Sequence, residues 1–202
     1  MANELELKAV LSEPEAVRRA LAAARAREGF RGLMRDRRFD RGGELGRRDE
    51  VLRVRLFEAG EGSPVGGSAV LGWKGPMGVS PNGYKQREEI ELETGDAAAA
   101  THLIQALGFA EVHAIDRYVE IYQVLGAVIR LEWYPRMDAL IEVEGGPEAI
   151  EAAIALIGIP RSTFLAAALA QFAAGFEART NQAAALSEAE LAGGSPPWPR
   201  AL

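Results

Sequence analysis

The sequence predicts an α+β protein built on a closed, eight-stranded antiparallel β-barrel, a tunnel with a charged interior and helices at its periphery. Two observations carry this. Eight segments read as strands and fall among helical segments in the order β-α-β4-α-β3-α-α, and eight antiparallel strands can close around interior side chains or one small ligand. In addition, acid and base occupy every second residue of several strands: Glu4, Glu6 and Lys8; Arg53 and Arg55; Lys85, Arg87, Glu89 and Glu91; Arg130 and Glu132; Glu142 and Glu144. Residues two apart share one face of a strand, so each set forms a stripe. The interleaved Leu5, Leu7, Val54, Leu56, Ile90, Leu92, Ile141 and Val143 are apolar, as an outer face covered by helices requires. Solvated sheet faces mix in Ser, Thr and Gln, whereas these stripes are almost purely ionic. Like charges two apart repel unless counter-charge lies opposite. Ionic faces turned into a common interior supply it, and leave room for a metal ion and a polyanion.

Each element has its own local signals. Residues 3–10 form the first strand, and Ser12-Glu13-Pro14-Glu15 has the form of a capping box opening a helix to about Arg27, before Gly29. Strands follow at 31–40 and 50–57, separated by Arg41-Gly42-Gly43-Glu44. Two more, at 67–74 and 84–93, are split by Gly75-Pro76-Met77-Gly78 and Pro81-Asn82-Gly83. Asp96 caps an alanine-rich helix reaching Leu107, and Gly108 stops it. Strands at 111–123 and 127–133 join through Gly126, and another covers 138–144. Pro147 opens an amphipathic helix to Ile157 with Gly158 as its stop; Pro160 restarts a helix containing Phe164, Leu165, Leu169, Phe172 and Phe176. Residues 1–180 are expected to form a single domain, and 181–202 a C-terminal extension that is partly disordered.

Composition excludes several functions. The 202 residues carry a net charge of −6, with 48% hydrophobic and 26% charged residues, an ordinary globular make-up that argues against broad binding to nucleic acid or anionic membranes. Any bound anion must therefore meet a local cationic site. Absence of cysteine removes disulfides, thiolate nucleophiles and Cys-ligated metal. No P-loop, dinucleotide fingerprint or GxSxG elbow occurs, and His102 and His113 are the only histidines, so histidine-based hydrolysis is not expected. No signal-peptide core or bilayer-length apolar run is visible, which makes the cytoplasm the expected location.

The ordered motifs resemble the CYTH, or triphosphate tunnel metalloenzyme, superfamily. Glu4-x-Glu6-x-Lys8 resembles its ExExK signature, Asp36-Arg37-Arg38-Phe39-Asp40 its DxYFD strand, and Leu52-Arg53-Val54-Arg55 its LRxR. Trp73-Lys74-Gly75-Pro76 resembles its YKGP, Arg87-Glu88-Glu89-Ile90-Glu91 its REExE, Leu107-Gly108-Phe109 a helix end, and Glu142-Val143-Glu144-Gly145 its closing ExEG. The likeness spans about residues 3–160, and Lys-Gly-Pro with REExE is most similar to the class IV adenylyl cyclase branch. It implies a tunnel binding a triphosphate with Mg²⁺ or Mn²⁺, the metal held by Glu4, Glu6, Glu132, Glu142 and Glu144. Lys8, Arg53, Arg55, Lys74, Lys85, Arg87, Arg117 and Arg130 are implied to bind substrate, with Lys8, Arg55 and Lys74 catalytic. The chemistry is consistent: hard cations take carboxylate and phosphate oxygens, and Arg offers forked donors to phosphate.

Four places depart from the pattern: Glu132 stands for Asp, Arg38 for an aromatic Tyr, Val119 for the second base of a K-x-R strand, and Met137-Asp138 for a Leu-Gly before the closing strand. The resemblance thus implies weaker terminal-phosphate binding at Val119. Two reactions share one site: ATP converted to cyclic AMP and pyrophosphate, placed first by the branch resemblance, and hydrolysis of tripolyphosphate or of a nucleoside or thiamine triphosphate. A non-catalytic polyphosphate- or nucleotide-binding module is the third alternative. A homodimer is compatible with the sequence.

Overall fold

The computed structural model of the chain describes residues 2–199. Its strands are β1 (Ala2–Val10), β2 (Arg27–Asp40), β3 (Val51–Ala59), β4 (Ser68–Lys74), β5 (Gly78–Val79), β6 (Lys85–Thr94), β7 (Ala110–Val124), β8 (Ala127–Trp133) and β9 (Leu140–Glu144). Helices are α1 (Pro14–Ala23), α2 (Glu44–Arg47), α3 (Ala97–Ala106), α4 (Pro147–Ile157) and α5 (Leu169–Thr180). Strand order is β1-β9-β8-β7-β2-β3-β4-β6, and an antiparallel pairing of β6 with β1, from Ala2↔Glu89 to Glu6↔Lys85, closes the circle. The eight-stranded barrel is thus the fold, with the two-residue β5 added beside β6.

Closure works because the apolar face of each strand points outward. Leu7, Ala9, Ile129, Leu131, Ile141 and Val143 are buried beneath Val17 and Leu21 of α1 and Ile150, Ala153 and Ile154 of α4, forming the largest core. Helix α3 lays Ala100 and Ile104 on Phe39 and Val54 in the same way. An ion pair also staples α1 to the barrel: Arg18 donates to both oxygens of Glu120 at 2.9 and 2.6 Å. The interior holds apolar side chains in two places, Phe30, Met34 and Val119 with Phe57 and Ile121, and Ile115, Tyr134 and Leu140 packed under Leu169, Phe172 and Leu186.

Three local expectations differ from the structure. The Ser12 capping box does not form: α1 begins at Pro14 behind Glu13, which makes no side-chain cap, since proline at the first helical position is already preset for the helix. The same helix stops at Ala23 because Arg25 takes a left-handed φ of 54° and the chain then joins β7, pairing Arg27 with Gln123. Pro160 opens only a 3₁₀ turn at Arg161–Thr163, and Phe164 is extended rather than helical. The reason lies in barrel closure. Strand β6 pairs with β1 only as far as Glu6, so the Lys8 amide and carbonyl need another partner, and Leu165 supplies both, at 3.0 and 2.8 Å. The chain returns once more after α5, where Ala185 exchanges backbone bonds with Arg136, and the Glu188 amide donates to Asp116. Among the described residues no helix is long and apolar enough to cross a membrane.

Gly32 shows how tightly the longest hairpin is built. Its φ is 152°, and a Cβ there would lie 2.2 Å from the Glu58 carbonyl oxygen, which the sheet holds fixed. On the helix side, Ile150 is fully buried between α4 and the sheet. Ile150→Ala is expected to lower unfolding stability by about 2–5 kcal/mol in a denaturant titration, through lost burial and the cavity left behind.

Candidate active site

Alternation turns the charged stripes inward. The stretch of β1 from Glu4 to Lys8 presents Glu4, Glu6 and Lys8 to the tunnel; β3 presents Arg53 and Arg55; β8 presents Arg130 and Glu132; β9 presents Glu142 and Glu144. Register then sets acid against base. Lys8 sits opposite Glu142, Glu4 opposite Arg87, Glu6 opposite Lys85, and Arg130 opposite Glu142. A cavity of about 250 Å³ runs through the interior, lined by nine basic side chains against five acidic ones in a chain whose net charge is −6. That local excess of cations is the kind of surface an anion would need in an acidic chain.

Two ionic groups organise it. On one wall the carboxylate oxygens of Glu4, Glu6 and Glu142 lie within 4.8 Å of one another. Each is countered by a base: Glu4 by Lys74 at 2.6 Å, Glu6 by Lys85, and Glu142 by Lys8 and Arg130. Burial alone would raise the Glu6 pKa, but the Lys8 and Lys85 ammonium groups outweigh it and bring it to about 2. Glu4 and Glu89 behave as a pair. For Glu4, the hydrogen bond with Glu89 and the charge of Lys74 overcome burial and drive the pKa far down, whereas burial and Glu4 push Glu89 up to about 8. Burial raises Glu144 as well, while its Oε2 lies 2.8 Å from Arg130.

On the facing wall, Asp36 is 1% exposed and binds two guanidiniums, Arg55 at 2.7 Å and Arg117 at 3.0 Å. Burial works against its charge, but Arg55, Arg117 and Arg53 hold its pKa well below the usual carboxylate value. Arg117 also lies 3.2 Å from Glu132, which accepts a hydrogen bond from Tyr134 at 2.7 Å. Arg53 donates to Glu89 at 2.6 Å and Glu91 at 2.8 Å. At the mouth, Arg87 reaches Asp49 at 2.8 Å.

Lys8, Arg53, Arg55, Lys74, Lys85, Arg87, Arg117 and Arg130 all line this one cavity, together with Glu6, Glu132 and Glu142. Of the five glutamates singled out in the sequence, three converge; Glu144 sits beside Arg130, and Glu132 faces Arg117 and Tyr134. Four lining residues had been given no role: Asp36, Arg38, Asp49 and Tyr134. Tyr134 stands two beyond Glu132, so the period-two rule could have found it, whereas Asp36 and Arg38 lie on β2 in a run that is charged on both faces. The oxygen donors of Glu4, Glu6 and Glu142 fit a hard divalent cation.

Several solved structures share this architecture. A protein from Pyrococcus horikoshii OT3 is 24% identical, the match covering 82% of this chain and 94% of that one at a TM-score of 0.64. A "putative adenylate cyclase" from Vibrio parahaemolyticus is 13% identical over 84% of this chain and 96% of its own, with a TM-score of 0.68. The third, a "putative adenylyl cyclase" from Hippeastrum with a dominant triphosphatase activity, is 20% identical over 89% and 96% of the two chains, with a TM-score of 0.59. At these identities the likeness is one of fold. No protein-family model and no curated protein matches the chain.

Asp36 offers a direct test of the ionic interior. Asp36→Asn strands Arg55 and Arg117 in the tunnel, and is expected to cost about 3–5 kcal/mol of stability at neutral pH. Because the folded pKa of Asp36 is depressed, its contribution is present above the ordinary value of 3.8 and is lost as pH falls below it. Denaturant titrations at several pH values should therefore show the gap between wild type and variant narrowing below about pH 4.

Proposed function

We propose that the chain is a divalent-metal-dependent enzyme acting on a triphosphate. The observation that carries this reading is the juxtaposition of three converging carboxylates, two of them lining the cavity and Glu4 beside it, with an excess of arginine and lysine. Arg53, Arg55, Arg117 and Arg130 present forked donors at fixed positions, suited to phosphate oxygens. Lys8, Lys74 and Lys85 add point charges beside the carboxylates. In such a site catalysis rests on cations that are already in place where charge develops on the phosphoryl oxygens. A Mg²⁺ or Mn²⁺ ion held by Glu4, Glu6 and Glu142 would supply further charge neutralisation at those oxygens.

Ligand entry also resolves an apparent conflict, since the residues assigned to metal and to phosphate are paired with each other in the ligand-free tunnel. Lys74, Lys85 and Lys8 can pass from Glu4, Glu6 and Glu142 to phosphate oxygens, freeing those carboxylates for the cation. Glu144, beside Arg130, is placed to follow as a further oxygen donor.

Within this reading, a class IV adenylyl cyclase-type reaction comes first, on the Lys74-Gly75-Pro76 and Arg87–Glu91 motifs. The ribose 3′-oxygen would bond to the α-phosphorus, the bond from that phosphorus to its bridging oxygen would break, and pyrophosphate would leave. A specific observation favours hydrolysis as the second reading. Charged side chains outnumber the apolar Val51, Met77, Ala168, Leu169 and Ala170 in the cavity wall, so it suits a bare phosphate chain as well as a nucleotide. Product analysis with ATP and with tripolyphosphate, each under Mg²⁺ and Mn²⁺, separates the two. Glu142→Gln should lower kcat/KM by about a hundredfold or more while the fold survives, in keeping with loss of a metal ligand. Full activity in excess chelator would overturn the metal-dependent reading.

A further inference from the structure

Arg38 is the one arginine of the Asp36 wall for which no carboxylate among the described residues lies within ion-pair distance. Around it every other cation is matched: Arg55 and Arg117 share Asp36, and Arg53 binds Glu89 and Glu91. Its buried Nε has no hydrogen-bond partner, and its nearest cross-strand neighbour on β3 is another arginine, Arg53. On its other side the partner in β7 is His113, whose pKa is lowered by burial and by Arg38 itself. Burial, with Arg117, Arg53 and Arg55, outweighs the attraction of the more distant Asp36 and brings the Arg38 pKa down to about 10, so it still carries its charge at neutral pH. A half-buried cation crowded by other cations, with its Nε buried and unpaired, is costly unless an anion visits it.

We infer that Arg38 is a substrate-binding residue that takes an additional phosphoryl group, so that the site selects chains of three phosphates over two. The inference rests on the triphosphate reading above and deepens it. Its second support is the opposite end of β2. There the tunnel is filled by Phe30, Met34 and Val119, which offer a phosphate nothing, whereas Arg38 extends the cationic wall toward the Val51 and Asp49 mouth of the cavity. A phosphate chain is thus best accommodated displaced toward Arg38.

The test is calorimetric binding of the imido analogues of tripolyphosphate and pyrophosphate, with Mg²⁺ present, to wild type, Arg38→Gln and the exposed control Arg19→Gln, which makes the same charge change outside the tunnel. Arg38→Gln should weaken the three-phosphate analogue on the order of tenfold to a hundredfold, as expected for one charge-assisted bond, and the two-phosphate analogue less than about threefold. Arg19→Gln should change neither, and Arg38→Lys should recover part of the loss. The melting temperature of ligand-free Arg38→Gln should equal or exceed that of wild type, because repulsion is relieved. Equal loss for both analogues, no loss for either, or a ligand-free variant less stable than wild type would overturn the inference. If wild type binds neither analogue, the triphosphate reading itself falls.

Discussion

Everything in this structure depends on burying many ionised side chains inside a protein without leaving any carboxylate alone. Removing charges from water costs several kcal/mol per ion, and only close opposite charge with further hydrogen bonds offsets it. The barrel meets this through register. Antiparallel pairing sets Lys8 against Glu142 and Lys85 against Glu6, and Asp36 bridges Arg55 and Arg117. A shift of one residue in any of these strands would turn its ionic face outward and its leucines inward. The same requirement fixes the outside, because apolar outer faces need the cover that α1, α3 and α4 provide.

Such an interior stores neither ligand nor activity on its own, but it is arranged to exchange partners. Each of the three converging carboxylates is held by a base that a phosphate could also hold. Preorganised cations cost little reorganisation when charge appears. The carboxylates and the arginines are therefore two halves of one electrostatic unit. Fold likeness alone would not have assigned it, because one fold can host many sites.

Much of this was legible in the sequence, for a physical reason. Where one face of a strand is ionic and the other aliphatic, as in Glu4–Lys8, Leu52–Leu56 and Ile141–Glu144, a period of two shows both the strand and its inside. Strand β2 hid its inside because both faces are charged. Arg35 reaches outward to Glu58 and Glu188, and Arg37 to Asp116, so Asp36 and Arg38 are lost in an unbroken ionic run. The helix read after Pro160 forms at Leu169, Phe172 and Phe176 but not at Phe164 and Leu165, where a non-local demand, the open backbone of Lys8, overrode local propensity. Which glutamates converge could not be read either. That depends on how the barrel closes, which brings Glu4, Glu6 and Glu142 together and leaves Glu132 with Arg117 and Tyr134.

The central claim is that metal and phosphate sites are one exchanging unit, and linkage tests it most directly. Calorimetric titration of a non-hydrolysable tripolyphosphate analogue, with and without Mg²⁺, and of Mg²⁺ with and without the analogue, yields both coupling factors. The account predicts that each ligand tightens the other by the same factor, at least about fivefold once the contribution of the metal–analogue complex formed in solution has been subtracted. Independent binding of the two, or mutual weakening, would contradict it.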